Sequence, residues 1–474
     1  MQTNSMNEII YDYFTSRILF GYFRKGDQLP SIPNIRKQFG VSALTVRAAL
    51  TQMKEKGYIE TAERTPATVI FQTDEQSEQQ YIHYFLSHRE GMDDICLSSD
   101  IIFSPIIQLY FKRQDKASIK RMRSKLKKAD FRTAKPVIMF YAEAMLPLNN
   151  SLITNLHWEM VRYLSTPYLE HSFNFQETNV RAAEHIEQIL DLLEANQFHQ
   201  AAKEAEAFNE KVTHQFLKRI QSSFAVDDQI EQIPFEWYIY REHPQLCYTL
   251  AADIMSKIDK QIFKPGEFLP SCRALSIEYD VSFITARRTV SLLNDLGVTE
   301  TLNGVGARVI LGEHTVPPDF TQLQIRKSLI LFLQAMQIEA LSCGNVAVHT
   351  LSSPVGNTCQ LLEHAIQTHI DNQTFYLIGG TCLRFIGENN TSPFIREVYS
   401  QLYRLMLWGH SLHMFFQNAE HNHYYETHAV KLREMLHHNN IHGFADSLTE
   451  LITFGVEISK NIMLQLGFDE NQLI

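Results

Sequence analysis

An internal repeat constrains this chain more than any other feature of its sequence. When the sequence is shifted by 240 residues, one stretch falls on a second stretch without a gap. The identical positions of the first stretch are Gly26, Leu29, Pro30, Ser31, Val41, Ser42, Thr45, Arg47, Gly57 and Glu60. Identity of this density at one offset indicates a structural repeat. The chain therefore folds the same local unit twice, and we name residues 1–71 copy one and residues 243–311 copy two.

The residue pattern at the start of each copy predicts a helix. In copy one, Ile10, Phe14 and Ile18 recur at the i, i+4, i+8 spacing of an amphipathic helix. The corresponding residues of copy two are Leu250, Ile254 and Ile258. A turn and the sequence Leu-Pro-Ser follow in both copies, and serine commonly caps the N-terminus of a helix. A second helix is therefore expected directly after each serine.

The remainder of each copy predicts further helix and a β-ribbon. We expect a short helix at 32–38 and 272–279, a longer helix at 43–56 and 283–296, and a two-stranded ribbon at 58–71 and 298–311. Gly57 and Gly297 follow the longer helices, and glycine commonly ends a helix. This order of elements makes a winged helix-turn-helix, whose third helix fits the major groove of DNA.

Both copies resemble the GntR family of bacterial transcription regulators. Copy one contains GDQLPSIPNIRKQFGVSALTVRAALTQMKEKG, and copy two contains GEFLPSCRALSIEYDVSFITARRTVSLLNDLG. Both follow the family pattern G-D-x-L-P-S-E-R-x-L-A, continued by L-G-V-S-R-x-T-V-R-x-A-L. This pattern lies within the two copies, and the resemblance implies a DNA-binding domain in each of them.

In copy one, the resemblance implies DNA contacts but weak base readout. It places Arg47 on the recognition helix at a base or phosphate contact, with Ser42 and Thr45 as hydroxyl donors to phosphates. Two basic positions of the family pattern are Pro33 and Ala43 here, and the wing lacks its usual glycines. Three other basic residues contact phosphates or form an ordinary solvated face. They are Arg36, Lys37 and Arg64.

Copy two is nearer to the family pattern. Arg273 and Arg287 occupy basic positions of the pattern, and Ser282 and Thr285 repeat the two hydroxyl residues. Phe283 replaces an expected arginine and can contact a thymine methyl group. A glycine-tipped wing lets the backbone approach the minor groove closely. The wing residues are Asn303, Gly304, Val305 and Gly306. We therefore expect copy two to be the better base reader.

The net charge of −10 is unevenly distributed. Copy one holds nine Lys and Arg against six Asp and Glu, and copy two holds seven against seven. The other segments therefore carry −13, the difference between the −10 of the chain and the +3 of copy one. A protein with an acidic bulk repels DNA except where its less acidic domains touch it. The charge pattern thus favours DNA binding through the two copies.

The segments outside the copies predict helical domains. We divide the chain into winged helices at 1–74 and 233–312 and effector-type helical domains at 75–232 and 313–474. Residues 72–90, rich in Gln, Glu and Ser, are expected to form a linker. Residues 112–135 hold eleven Lys and Arg against two Asp. This basic run is either a DNA-facing patch or the solvated side of an amphipathic helix. The apolar side of that helix would consist of Ile119, Met122 and Leu126.

The helical domains resemble the effector domain of the FadR subfamily. In some members an Asp or Asn and three His hold a divalent ion. The positions of the paired Asp and His are Val137 and Tyr141 here, and His185 alone lies near a third position. A lone helical His is more often a surface or core residue than a ligand, so we predict no metal and no cofactor. The matching segments are 136–168, 181–217, 371–376 and 426–436.

The second helical domain contains a group of histidines that could suggest a metal site. Its members are His410, His413, His421, His423 and His428. Only His410 and His413 have the i, i+3 spacing that places two side chains on one helix face. We therefore favour an aromatic-walled effector pocket over a metal site. The predicted wall residues are Phe375, Tyr376, Tyr403, Trp408, Phe415 and His428.

Other classes of protein are disfavoured. Gln334 and Gln337 interrupt the longest apolar stretch, and no basic region followed by an apolar core opens the chain, so no membrane span or signal is expected. Six dispersed cysteines without C-x-x-C indicate a reducing compartment and no zinc ribbon. A phosphate loop, a nucleophile elbow and H-E-x-x-H are all absent, so no enzyme is expected.

These features predict a mainly α chain with two winged helix-turn-helix domains, each followed by an all-α effector-type bundle. The expected function is that of a cytoplasmic, nucleoid-associated, sequence-specific transcription regulator, an effector-responsive repressor. Its expected partners are double-stranded DNA and a small-molecule effector, with a homodimer as a further option. Two fused copies could bind one asymmetric operator as an intramolecular pseudo-dimer. The alternative is a protein-interaction scaffold with degenerate winged helices.

Overall fold

The structure is a computed structural model of the chain. It describes residues 10–11, 14–15, 18, 23–39, 42–62, 65–71, 75–127, 129, 135–164, 176–223, 230–239, 246–259, 262–310, 319–353, 357–412 and 419–473. Within these residues the fold is mainly α-helical, with two antiparallel β-ribbons of two strands each. The predicted fold class is therefore confirmed.

The described residues form helices and short strands, which follow the predicted order within each copy. They are α1 (Ile32–Phe39), α2 (Ala43–Glu55), β1 (Ile59–Glu60), β2 (Thr68–Val69), α3 (Glu75–Lys112), α4 (Lys116–Leu126), α5 (Lys135–Ala144), α6 (Ser151–Leu164), α7 (Gln176–Glu194), α8 (Phe198–Ser223), α9 (Leu246–Asp259), α10 (Cys272–Glu278), α11 (Phe283–Asp295), β3 (Thr299–Leu302), β4 (Gly306–Val309), α12 (Leu323–Leu351), α13 (Thr358–Asp371), α14 (Ile378–Glu388), α15 (Pro393–Met406), α16 (Ala419–His437) and α17 (Ile441–Gln465).

The core of copy one consists of the residues that helical spacing singled out. Ile10, Phe14 and Ile18 are helical and almost completely buried. They share one core with apolar residues of α1, α2, β1 and β2, and burial of such side chains is the main force that holds a small domain together. The predicted helical, core-facing positions of these three residues are therefore confirmed.

The two copies have equivalent backbone hydrogen bonds. The Gly26 amide donates to the Val69 carbonyl at 2.8 Å, and the Gly266 amide donates to the Val309 carbonyl at 2.8 Å. Gly26 and Gly266 have φ values of +95° and +85°, a backbone region that glycine adopts without the cost of a Cβ atom. The paired strands of the two wings differ in length, because β1 and β2 have two residues each whereas β3 and β4 have four each.

The expected linker at residues 72–90 is wrong from residue 75 onward. Helix α3 begins at Glu75 and continues for 38 residues to Lys112. Glu and Gln are strong helix formers, and their abundance favours a helix as much as a linker. Phe85, Met92 and Ile95 then bury an apolar face, so the segment is the start of the helical domain.

The basic run forms the amphipathic helix that we expected as one of two alternatives. Ile119, Met122 and Leu126 of α4 are buried. On the other face, Arg123 contacts three acidic residues of α7 at 2.5, 2.8 and 3.1 Å. These residues are Glu187, Asp191 and Glu194. Part of the positive charge of the run is therefore neutralised within the domain.

An irregular segment at residues 231–238 is anchored to the first helical domain. The Trp237 side chain is buried, and its Nε1 donates to Asn155 Oδ1 of α6 at 2.6 Å. The Ile233 amide donates to the Ser87 carbonyl of α3 at 2.6 Å. The chain that precedes copy two is thus held by specific bonds.

The second helical domain is built around α12. This helix packs along α17 and also against α14 and α15, and α13 packs against α16. Ser392 caps α15, whose first residue is Pro393, a position where the missing amide proton of proline costs nothing. The interior is apolar, with Leu329, Phe444 and Leu448 completely buried.

The chain forms two compact units that do not follow chain order. Unit one comprises residues 1–100, 107–148 and 153–244, and unit two comprises 101–106, 149–152 and 245–474. Pro105 lies inside α3 and has no amide proton, so it cannot donate to the Ile101 carbonyl four residues earlier. Within unit two, Asn345 Nδ2 of α12 donates to that carbonyl at 3.3 Å. A side chain of α12 thus replaces a missing helix bond.

Two described helices, His83–Lys112 and Ile325–Leu351, are long and apolar enough to cross a membrane by length and composition alone. Buried core helices pass the same test, and 44 % and 61 % of their most apolar windows are buried in the structure. These two helices are weak evidence for a membrane span.

Candidate nucleic-acid interface

The recognition helices α2 and α11 begin with the same cap. Ser42 Oγ accepts a hydrogen bond from the Thr45 amide at 3.2 Å, and Ser282 Oγ accepts one from the Thr285 amide at 3.1 Å. In each pair the two side-chain oxygens also share a hydrogen bond, at 2.9 and 2.8 Å. A serine cap satisfies an amide that the helix leaves unpaired. Both hydroxyl pairs therefore have a structural role besides the predicted phosphate contact.

The first turns of these helices suit an anion. Neither α2 nor α11 carries an acidic residue in its first turn. The unpaired amides and the helix dipole make such an end electropositive. Arg47 and Arg287 are exposed one turn further along. The solvent-facing start of each recognition helix therefore combines the partial positive charge of its amides with the full positive charge of an arginine.

Large apolar side chains are exposed beside the arginines. The exposed fractions are 77 % for Leu44, 54 % for Phe283 and 64 % for Ile284. Leu44 and Ile284 occupy equivalent positions of the two copies. The sequence prediction included Phe283 but missed Leu44 and Ile284, although each lies two residues after the capping serine of its helix. Exposed apolar groups on a recognition helix can contact thymine methyl groups.

The second wing has an exposed glycine tip. The Val305 amide donates to the Leu302 carbonyl at 3.0 Å, which closes a tight turn. Gly304 has a φ of +76° and Val305 is 67 % exposed. Asn303 is also exposed, and Gly306 begins β4. The predicted wing residues therefore lie together at one end of the ribbon.

The other predicted DNA contacts are only partly described. Arg36 on α1 and Arg273 on α10 are exposed. The Lys37 side chain and Arg64 lie outside the described residues, as does the tip of the first wing at Glu63. Arg288 is exposed next to Arg287 and was not predicted as a contact.

Residues of the predicted effector pocket lie in several contacts of unit two. Trp408 is buried, with its ring centroid 5.7 Å from that of Tyr248 on α9. The His428 ring stacks on Tyr424 at 4.1 Å, and the Arg384 guanidinium lies 5.9 Å from the Tyr403 ring. Phe375 and Tyr376 are half-buried in a short 3-10 turn. Phe415 lies outside the described residues.

One histidine of the predicted group, His428, has ordinary partners. His428 Nδ1 lies 3.0 Å from the Tyr424 carbonyl, and its Nε2 lies 3.7 Å from Glu450. His413 and the His410 side chain are outside the described residues. In the first helical domain, His185 Nδ1 lies 2.5 Å from Glu204. Within the described part of the chain, no three His, Cys, Asp or Glu side chains are grouped to hold a metal ion.

Each copy is a winged helix-turn-helix with an exposed, arginine-bearing third helix. This geometry defines a DNA-binding domain, and the chain contains two of them.

Comparison with known proteins gives the same class. Residues 7–69 and 248–309 match the family model described as "Bacterial regulatory proteins, gntR family". The chain therefore contains two DNA-binding domains of the GntR family, as the resemblance of both copies predicted. No curated protein matches the chain significantly.

Two solved structures are similar to parts of the chain. A Streptococcus agalactiae GntR structure is 16 % identical over 44 % of this chain and 99 % of its own, with a TM-score of 0.22. An E. coli McbR/YncC structure is 14 % identical over 46 % of this chain and 99 % of its own, with a TM-score of 0.26. Structural similarity this low does not support a functional assignment, so the family match rests on the two winged helices alone.

Proposed function

We propose that the protein is a sequence-specific bacterial transcription regulator that acts in the cytoplasm. In this proposal, one chain binds an asymmetric operator as an intramolecular pseudo-dimer. The observation that carries it is the pair of recognition helices, which share a serine cap and an exposed arginine at equivalent positions, Arg47 and Arg287. One chain therefore holds the two reading elements that a symmetric dimer assembles from two chains.

The asymmetry of the operator follows from the side chains that surround these arginines. Copy one presents Ala43 and Leu44 where copy two presents Phe283 and Ile284. Different apolar surfaces prefer different thymine positions. The glycine-tipped wing of copy two, with its longer paired strands, also offers a backbone contact in the minor groove. We therefore expect one half of the operator to be more strongly specified than the other.

We further propose that the chain is an effector-responsive repressor without enzymatic activity, with the effector held in the second helical domain. The contact of Trp408 with Tyr248 supports this, because it joins the domain to the first helix of copy two. A ligand that binds the DNA-competent and incompetent arrangements unequally would shift DNA affinity through such a contact. Phe375, Tyr376 and Tyr403 stay candidate pocket residues.

Binding-site selection at fixed salt tests the proposal. The wild type should select one asymmetric motif, and Arg287→Ala should erase its better-specified half while Arg47→Ala weakens the other. Lys54→Ala is the matched control, since Lys54 is exposed at the far end of α2 and should leave the motif unchanged. Selection of a strict palindrome bound by two chains with four winged helices would refute the pseudo-dimer.

The alternative function is a protein-interaction scaffold. The two-residue strands of the first wing and the loss of two basic positions at Pro33 and Ala43 favour it. Weak binding without sequence preference by the wild type and by both arginine variants would support the scaffold and reject the regulator.

A further inference from the structure

A carboxyl group with one oxygen that no described residue bonds lies in the interior of the second helical domain. Glu339 occupies the middle of α12 and is 1 % exposed. Its Oε2 atom has no hydrogen-bond partner among the described residues. Buried polar groups are nearly always hydrogen-bonded, and each exception indicates a bound water, ion or ligand, or a functional role. Glu339 is such an exception.

The polar groups around Glu339 are already engaged with one another. Ser342 Oγ and the Tyr399 hydroxyl share a hydrogen bond of 2.9 Å. Cys343 Sγ lies 3.6 Å from Thr449 Oγ1. Tyr399 lies on α15 and Thr449 on α17, and the Glu339 carboxyl group interacts electrostatically with Tyr399 and Cys343. The neighbours supply a polar lining but no countercharge.

Burial controls the charge state of this cluster. Burial alone raises the pKa of Glu339 to about 8, and no described cation offsets this effect. Burial also raises the pKa of the neighbouring titratable groups Cys343, Tyr399 and Cys382. Glu339 is therefore the group of this cluster that changes charge near physiological pH.

We propose that Glu339 is the anchor of a binding site, inside the second helical domain, for a small organic cation with a primary amine or guanidinium group. The cation donates a hydrogen bond to Oε2, which supplies the partner that this oxygen lacks, and its positive charge stabilises the ionised carboxylate. Binding removes the proton from the Glu339 carboxyl group and releases it to solvent. An effector role of this site rests on the proposed function, whereas cation binding by the site does not depend on it.

This chemistry makes a quantitative demand. A carboxyl group with a pKa of about 8 is mostly protonated at pH 7, so pairing with a cation should release about 0.9 proton per ligand. Affinity should rise about tenfold between pH 6 and pH 7 and level off above pH 8. A neutral ligand that accepts a hydrogen bond from the protonated carboxyl group would show the opposite dependence.

Calorimetric titration of the full chain tests the site without DNA. The probes are guanidinium, methylammonium, putrescine and agmatine, with urea and methanol as neutral counterparts of the first two. Titrations in phosphate and in HEPES at pH 7, two buffers without a primary amine and with different ionisation enthalpies, measure the released protons. We expect at least one cation to bind with proton release, at least tenfold more tightly than its neutral counterpart where one is tested.

Two variants locate the site. Glu339→Gln keeps the shape of the protonated side chain and should abolish cation binding and proton release while it retains the helical circular dichroism. Glu426→Gln removes an exposed carboxylate of α16 and should change neither. Binding without proton release, binding that survives in Glu339→Gln, or no binding by any of the four cations would overturn the proposal.

The same probes separate this inference from the proposed function. If a cation binds as expected but leaves operator affinity unchanged, the site stands and its effector role fails. If no operator is selected, the calorimetric result is unaffected.

Discussion

The stability of the second helical domain should depend on pH through Glu339. The folded state keeps this carboxyl group protonated up to a pKa of about 8, whereas its ordinary value is 4.5. The favourable contribution is therefore fully present below pH 4.5 and is lost as the pH rises through 8, because the unfolded chain loses its proton first. Glu339→Gln has no proton to lose and removes this dependence.

The size of the effect follows from the same two values. Each pKa unit corresponds to about 1.4 kcal/mol, so at pH 7 the unfolded chain gains about 3 kcal/mol from ionisation of this group. At pH 5 the gain is below about 1 kcal/mol. Glu339→Gln should therefore gain about 2 to 3 kcal/mol relative to the wild type between pH 5 and pH 7. Any fixed cost of the amide is the same at both pH values.

Urea unfolding followed by Trp408 fluorescence measures this difference within unit two. Trp158→Phe and Trp237→Phe make the buried Trp408 the sole tryptophan of the chain. The exposed Glu426→Gln in the same background is the control and should show no such slope. A constant stability difference between Glu339→Gln and the wild type from pH 5 to pH 8 would refute a buried Glu339 that stays protonated at neutral pH.

Two further predictions concern local structure. Ser282→Ala should lower the free energy of unfolding by about 1 kcal/mol, because α11 loses its cap. Ser282→Asp should keep the cap but weaken DNA binding, because its carboxylate repels phosphate. Thermal unfolding and DNA-binding titrations measure the two effects, and equal DNA affinity of Ser282→Asp and the wild type would contradict the placement of Ser282 at the DNA. In α14, Gly387→Ala should cost about 1 to 3 kcal/mol, because its Cβ would lie 2.6 Å from Tyr399 Cβ. A Cβ atom at Gly380 would meet nothing within 4 Å, so Gly380→Ala should stabilise the helix by about 0.5 to 1 kcal/mol. Urea unfolding of the two variants measures this difference, and equal effects would contradict the close packing of Gly387 on Tyr399.

The winged helices could be predicted in detail because their determinants are local. The spacing of Ile10, Phe14 and Ile18, the capping serines and the terminal Gly57 and Gly297 all act within a few residues. Gly57 and Gly297 have the positive φ values of +77° and +70° that the end of a helix requires. The repeat then doubled each signal.

The errors and omissions arose where distant contacts decide the outcome. Residues 75–90 form helix because Phe85 finds a core, which composition cannot reveal. Glu339 was missed although a signal exists, since residues 328–351 contain no other Asp, Glu, Lys or Arg. A single carboxyl group in such a stretch suggests a buried charge. That its Oε2 atom lacks a described partner depends on helices that are far apart in the sequence.

The bond from Asn345 to the Ile101 carbonyl has a consequence for the order of synthesis. Residues 101–106 and 149–152 leave the ribosome before residues 245–474, yet they belong to the unit that those later residues form. Until α12 emerges, the carbonyl that Pro105 leaves unpaired must be satisfied by water. The late half of the chain thus completes a helix of the early half, and a fragment that begins at residue 245 would lack part of its own unit.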